Sequence, residues 1–174
     1  MTAVALLLGL LIDHFIGEAK RWHPLVGFGN AAATLEKAAN PSSDNHGKLC
    51  GLVCWALMVL TPVVAMTLAV SQLSGLALLV FNALVVYFVV GLKSLVEHGR
   101  NVAVPLLDGD LPAARQQIAM MVSRDTANLN EQQVACATCE SVLENGSDAI
   151  FAALFWFCLL GAPGAILYRG ANTL

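Results

Sequence analysis

Residues 49–92 read LCGLVCWALMVLTPVVAMTLAVSQLSGLALLVFNALVVYFVVGL, 44 residues between Lys48 and Lys93 without one Asp, Glu, Lys or Arg. A helix crosses a hydrocarbon core of ~30 Å with about 20 apolar residues, so this stretch holds two spans. Ser71-Gln72-Leu73-Ser74-Gly75 is its most polar and turn-prone point. The reading places helices over Leu49–Val70 and Leu76–Leu92 as an antiparallel hairpin, with Pro62 kinking the first. The rest of the 174-residue chain agrees: 57% of residues are apolar and 12% charged, and mean hydropathy is +0.71. Ordinary soluble domains are about 25% charged, so a soluble enzyme and intrinsic disorder are both excluded. A net charge of −3 offers no basic patch for nucleic acid. The expected fold is an all-α, polytopic integral membrane protein with cytoplasmic helical loops, a single membrane domain over residues 1–174.

Two further apolar stretches flank the central pair. Residues 1–12 are short for a span unless the helix continues to Ile16 with Asp13 and His14 facing protein or water. A signal peptide fits poorly, since a basic start and a cleavage site are missing. Ala149–Tyr168 carries no charge, but Gly161-Ala162-Pro163-Gly164 interrupts it. Its continuous part, Ala149–Leu160, reaches only about 18 Å as a helix, which suits a segment that enters the membrane and returns at Gly161–Gly164. A Pro-kinked full span is the alternative. Lys20, Arg21, Lys37 and Lys48 lie in one polar segment, and Lys93, Arg100, Arg115 and Arg124 in the other. The excess of positive charge in cytoplasmic loops puts both segments inside. Within them helices are expected over Asn30–Ala39, over Leu111–Val122 with Asp110 and Pro112 at its start, and from Asn130 to about Asn145. There Asn130 and Gln133 can form a capping box.

Three polar clusters carry the chemistry. Residues 13–24, DHFIGEAKRWHP, pack acids, bases and two imidazoles together before turning through Pro24, Gly27 and Gly29. Arg21 and His23 can hold a phosphate or carboxylate, although Trp with Lys and Arg is also common belt composition at a membrane surface. Ser123-Arg124-Asp125-Thr126 offers a cation and an acid on a loop, or an ordinary turn in which Asp125 or Thr126 bonds nearby backbone. Glu140, Glu144 and Asp148 recur every four residues with Ser141 and Asn145 beside them, one stripe of a helix. No Lys or Arg between Arg124 and Arg169 offsets their repulsion locally. The stripe runs straight into an apolar segment, where ionised groups are expensive. It reads as a divalent-cation site on Glu144 and Asp148 or as acid–base machinery, with a solvated helix face as the plain alternative. Cys136 and Cys139 have zinc-like spacing but no second pair, and read as small buried residues. No phosphate-binding glycine loop is present.

These clusters resemble a known family. GEAKRWHPLVGFG (17–29), SRDTANL (123–129), ESVLENGSDAIFAALFW (140–156) and GAPGAILYRGANTL (161–174) are similar, in order, to the motifs of the adenosylcobinamide-phosphate synthases of cobalamin biosynthesis, the CobD/CbiB family. Ala19, Gly146, Ala149 and Ala153 depart from it, standing where proline, threonine, glycine and proline are common; no charged motif member is lost. The resemblance implies an inner-membrane, multi-pass enzyme of corrinoid synthesis, and a chain that continues beyond Leu174. It implies amide linkage of adenosylcobyric acid to aminopropanol or its phosphate, with Mg²⁺ and ATP as cofactors. Glu140, Glu144 and Asp148 are then the metal or base candidates, Asn145 a positioning group and Asp125 a further acid. Arg21, His23 and Arg124, with Arg169 and Asn172, bind substrate. An AmpE-like signalling protein, expected to lose these charged motifs, and a transporter are the rival classes. Transport would place the polar groups at mid-membrane.

Overall fold

The structure, a computed structural model, describes residues 2–17, 24–39 and 47–174. All regular structure among them is helical: α1 (Thr2–Ile16), α2 (Pro24–Ala39), α3 (Gly47–Gln72), α4 (Gly75–Val89), α5 (Leu92–Leu107), α6 (Leu111–Ile118), α7 (Glu131–Asn145), a π-helical turn (Gly146–Phe151) and α8 (Ala152–Thr173). Three helical stretches are long and apolar enough to cross a membrane, Lys48–Gln72, Gly75–Leu107 and Glu131–Thr173. Along α3, Leu49, Leu52, Leu57, Leu60 and Leu68 are each more than half exposed or close to it. That pattern is costly in water and neutral in lipid.

The break between α3 and α4 falls at Leu73 and Ser74, with Gly75 taking a left-handed φ of 56° that costs glycine nothing. The two helices do not form the expected hairpin: each packs chiefly on other elements, α3 on α8 and α4 on α1 and α8. Gly9 of α1 lets the α1 and α4 backbones approach so closely that a Cβ there would lie 2.6 Å from the Val86 side chain and 2.8 Å from the Ala83 carbonyl. Small residues are what permit such contact between membrane helices. Ala5, Val86, Val89, Ile150, Ala153, Phe157 and Ala165 form the core of this bundle.

α1 does continue to Ile16, and its polar side chains separate: Asp13 is 1% exposed while His14 is exposed. The Asp13 carboxylate accepts from the Lys93 backbone N–H at 2.9 Å, on the first turn of α5. Lys93 Nζ donates to the Phe15 carbonyl at 3.2 Å, and the Tyr87 hydroxyl to that of Gly17 at 2.8 Å. A buried carboxylate is tolerable only when so bonded, and here it ties the end of α1 to the start of α5.

α5, α6 and α7 make a second core of Val102, Ala114, Ile118, Val134 and Ala137. Asp110 caps α6, accepting from Ala113 N–H at 3.0 Å. Asn130 and Gln133 complete the capping box with two 2.9 Å bonds. Three expectations need correction. α2 begins at Pro24, so Pro24, Gly27 and Gly29 lie inside a helix rather than in a turn, proline being preorganised for a first helical position. α6 stops at Ile118, short of Val122, because Met120 and Met121 close a turn onto Gln117 and Ile118. Cys136 and Cys139 are exposed, since α7 buries only the face carrying Val134, Ala137 and Ser141.

α8 is two arms. Gly161 has φ 68° and ψ −156°, and the chain reverses there. A Cβ on Gly164 would sit 2.5 Å from the Trp156 carbonyl oxygen, whereas eight residues of straight helix would separate the two by about 12 Å. Residues 162–173 therefore run back along residues 152–160.

Candidate functional site

The reversal decides the site. Ala149 and Arg169 would stand about 30 Å apart on an unbroken helix, yet both line one cavity of about 250 Å³, together with Ser94, His98 and Asn145. A second cavity, of about 300 Å³, is lined by Ser123, Arg124, Glu140, Ser141, Glu144 and Asn145. Asn145 and Met121 belong to both, so the two adjoin beside the start of the π-helical turn and together make up the cleft. π-turns widen a helix by one residue and recur at functional sites. Here the turn follows directly on Asn145 and contains Asp148.

Arg124 reaches across from the 123–129 loop to α7, its guanidinium 2.8 Å from the Glu140 carboxylate. The expected lack of a local counter-charge is thus met by tertiary structure. Both partners are more than half exposed, 55% and 67%, and such pairs contribute only about 0–1 kcal/mol. The pair sets position more than stability. Its loop is fixed independently: buried Thr126 donates to the Arg115 carbonyl at 3.1 Å, and Arg115 Nε to that of Leu129 at 2.7 Å. The Ser141 hydroxyl donates to the Met121 carbonyl at 3.3 Å. The Asn145 amide donates to the Ser141 carbonyl at 2.8 Å.

Of the sequence candidates, Arg124, Glu140, Glu144, Asn145 and Arg169 come together. Asp125 closes a local turn, accepting from Ala127 N–H at 2.9 Å. Asp148 lines neither half of the cleft and instead lies near enough to Tyr168 for its charge to act on the phenol. Asn172 is exposed near the end of α8. Arg21 and His23 lie outside the described residues. Nothing in the sequence pattern points to Ser94 or His98, which line the same cavity as Arg169 from a remote segment. His98 Nδ1 lies 2.7 Å from the Ser94 carbonyl. A carbonyl only accepts, so Nδ1 carries the proton and Nε2 is the nitrogen left for the cavity.

Among the described residues no three His, Cys, Asp or Glu side chains converge as a metal cage. Mg²⁺ commonly binds through one or two carboxylates and completes its shell with water and substrate phosphate. Glu144, on the cleft wall, suits that habit.

A family model described as CobD/Cbib protein matches residues 6–174. The Cobalamin biosynthesis protein CobD of Chromobacterium violaceum is 48% identical over 178 residues, covering 99% of this chain and 56% of the relative. That of Stutzerimonas stutzeri is 48% identical over 165 residues, covering 95% and 54%. That of Clostridium perfringens is 31% identical, covering 98% and 55%. The chain spans about half the length of the curated relatives it matches. No solved structure matches.

Proposed function

We propose, from the premise that this chain belongs to the CobD/Cbib family of cobalamin-biosynthesis proteins, that the full-length protein is an adenosylcobinamide-phosphate synthase. It joins adenosylcobyric acid, at a propionate side chain, to aminopropanol or its phosphate through an amide. The observation that carries this reading is the cleft itself. The SRDT loop and the ESVLEN helix line one polar cavity, and the returning arm of α8 lines the adjoining one through Arg169. Amide formation needs a neutral amine beside an activated carboxyl group. In this reading Glu140 and Glu144 attract the ammonium form of the amine, and Glu144 takes a proton from it. Asn145, held by Ser141, orients the substrate between the two halves.

ATP with Mg²⁺ supplies the activation of the carboxylate in this reading, and Glu144 would help to hold the ion. The bundle sits in the inner membrane with several passes, and the cleft opens to the cytoplasm. The supports are the positive charge of both polar segments and the convergence of Lys93, Arg124 and Arg169 at the end of the bundle away from the Gln72–Gly75 turn. Transport is disfavoured because these polar groups collect at that end instead of in mid-membrane. A non-catalytic signalling role leaves the clustered Arg124, Glu140 and Glu144 without a task.

Deleting the full-length gene should block cobalamin formation from cobyric acid, and supplied cobinamide should restore it. Growth on cobyric acid after deletion, in a strain with no second copy, would contradict the assignment.

A further inference from the structure

Gly91, Ser94, Leu95 and His98 all line the 250 Å³ half of the cleft, and their spacing puts them on one face of the first two turns of α5. A first turn is the least secured part of a helix, because its leading N–H groups have no partner within the helix. The α5 ladder begins with Leu95 N–H on the Gly91 carbonyl at 3.0 Å, and Gly91, at the N-cap, brings no side chain to hold the amides before it. The acceptor for the Lys93 N–H comes instead from α1, the buried Asp13 carboxylate at 2.9 Å, and a carboxylate is also the group that a helix N-terminus favours electrostatically. The His98 ring rides on the turn so held, its Nδ1 2.7 Å from the Ser94 carbonyl. Leu95 of the same turn reaches the π-helical turn, its Cδ2 3.9 Å from where a Gly146 Cβ would stand.

We infer that Asp13 is a positioning residue of the cleft: a cap supplied from another helix, which holds the first turn of α5, and with it Ser94 and His98, in the cavity wall. What the wall contributes to amide formation rests on the synthase reading above; the capping does not. Anchoring α1 is a separate task with its own contacts. Gly9 seats α1 against Ala83 and Val86 of α4, and the Tyr87 hydroxyl of α4 donates to the Gly17 carbonyl at 2.8 Å. The Asp13 bond acts on α5 instead, 80 residues away. Its loss therefore loosens the start of α5 locally, as helix ends open before a fold does, and leaves the layer of α5, α6 and α7 closed around Val102, Ala114, Ile118, Val134 and Ala137.

The test is amide hydrogen exchange of the full-length protein in detergent, read by mass spectrometry over residues 91–99 and, for comparison, over α7, with the rate of amide synthesis measured on the same samples. It compares wild type with Asp13→Ala, Asp13→Asn and Tyr87→Phe. Asp13→Ala removes a charge-assisted bond and should speed exchange in 91–99 by about tenfold or more, with α7 unchanged. Asp13→Asn keeps an oxygen for the Lys93 N–H and should stay within about threefold of wild type on that scale. Tyr87→Phe should melt at lower temperature, since it leaves a buried carbonyl unpaired, yet exchange in 91–99 as wild type does. Synthesis should fall by about tenfold or more in Asp13→Ala, a displaced wall misplacing what it holds, and should persist in Asp13→Asn and Tyr87→Phe. If Asp13→Ala does not fold, Asp13→Ser takes its place with the same expectation, its oxygen standing one bond short of the amide. Unchanged exchange in 91–99, equal loosening of α7, Asp13→Asn as loose as Asp13→Ala, or a loosened α5 with undiminished synthesis would each overturn the proposal. Wild-type protein that forms no amide, with the exchange pattern as expected, would overturn the synthase reading alone.

Discussion

Glu144→Gln in the full-length protein should lower amide synthesis by about 10²–10⁴-fold, the range lost with a positioned acid–base group, while the amount of membrane protein stays the same. The amide keeps the shape of the side chain and removes only its charge. Glu144 is exposed on the cleft wall, so packing does not suffer. Glu140→Gln should be milder, because Glu140 already neutralises Arg124 at 2.8 Å. Asp148→Asn should also be milder, since Asp148 lies beyond Asn145 on the π-turn and lines neither half of the cleft. A stripe that merely faced solvent predicts the reverse. Removing one of several like charges would then leave activity intact and stability equal or slightly higher. Initial rates for the three variants separate the two accounts.

A second large effect is expected at the reversal of α8. Gly164→Ala places a methyl group 2.5 Å from the Trp156 carbonyl oxygen and 2.5 Å from the Leu160 Cβ. Neither is the free end of a flexible side chain, so the two arms must separate. Overpacking of this kind costs about 1–3 kcal/mol, roughly 2–12 °C in melting temperature for a protein of this size class. Arg169 travels with the displaced arm, so activity should fall as well. Gly27→Ala is the matched control: its Cβ meets nothing within 4 Å among the described residues, and alanine is the better helix former by about 1 kcal/mol. Melting of the purified full-length variants checks both. Gly164→Ala as stable as Gly27→Ala would mean that the arms do not pack at Gly164.

The readable part of this molecule is the part governed by local rules. The uncharged run of residues 49–92 announces α3 and α4 because no other structure hides so many apolar side chains. Asn130 and Gln133 announce the start of α7 because the capping box is a property of four consecutive residues. Gly161-Ala162-Pro163-Gly164 announces a break in the last apolar stretch, and the fold does reverse at Gly161. The contacts that build the site are of another kind. A helix apolar all round does not say which face meets a neighbour, so α8 packing on both α3 and α4 has no mark in the sequence. Asp13 reads as an interruption of a span, and its role capping α5 through Lys93 depends on a partner 80 residues away. Arg124 and Glu140 stand 16 residues apart on different elements, and their pairing follows from the way α6 and α7 pack. His98 carries no signal at all until the returning arm brings Arg169 beside it.

The central claim is that the complete protein makes the amide bond. The most direct measurement incubates full-length protein, purified in detergent, with adenosylcobyric acid, aminopropanol phosphate, ATP and Mg²⁺, and follows the corrinoid by mass spectrometry. The account predicts a product heavier than adenosylcobyric acid by aminopropanol phosphate less one water, formed about 10²–10⁴-fold more slowly when Glu144→Gln replaces wild type. Quantitative recovery of unmodified adenosylcobyric acid, from folded wild-type protein supplied with all four components, would contradict it.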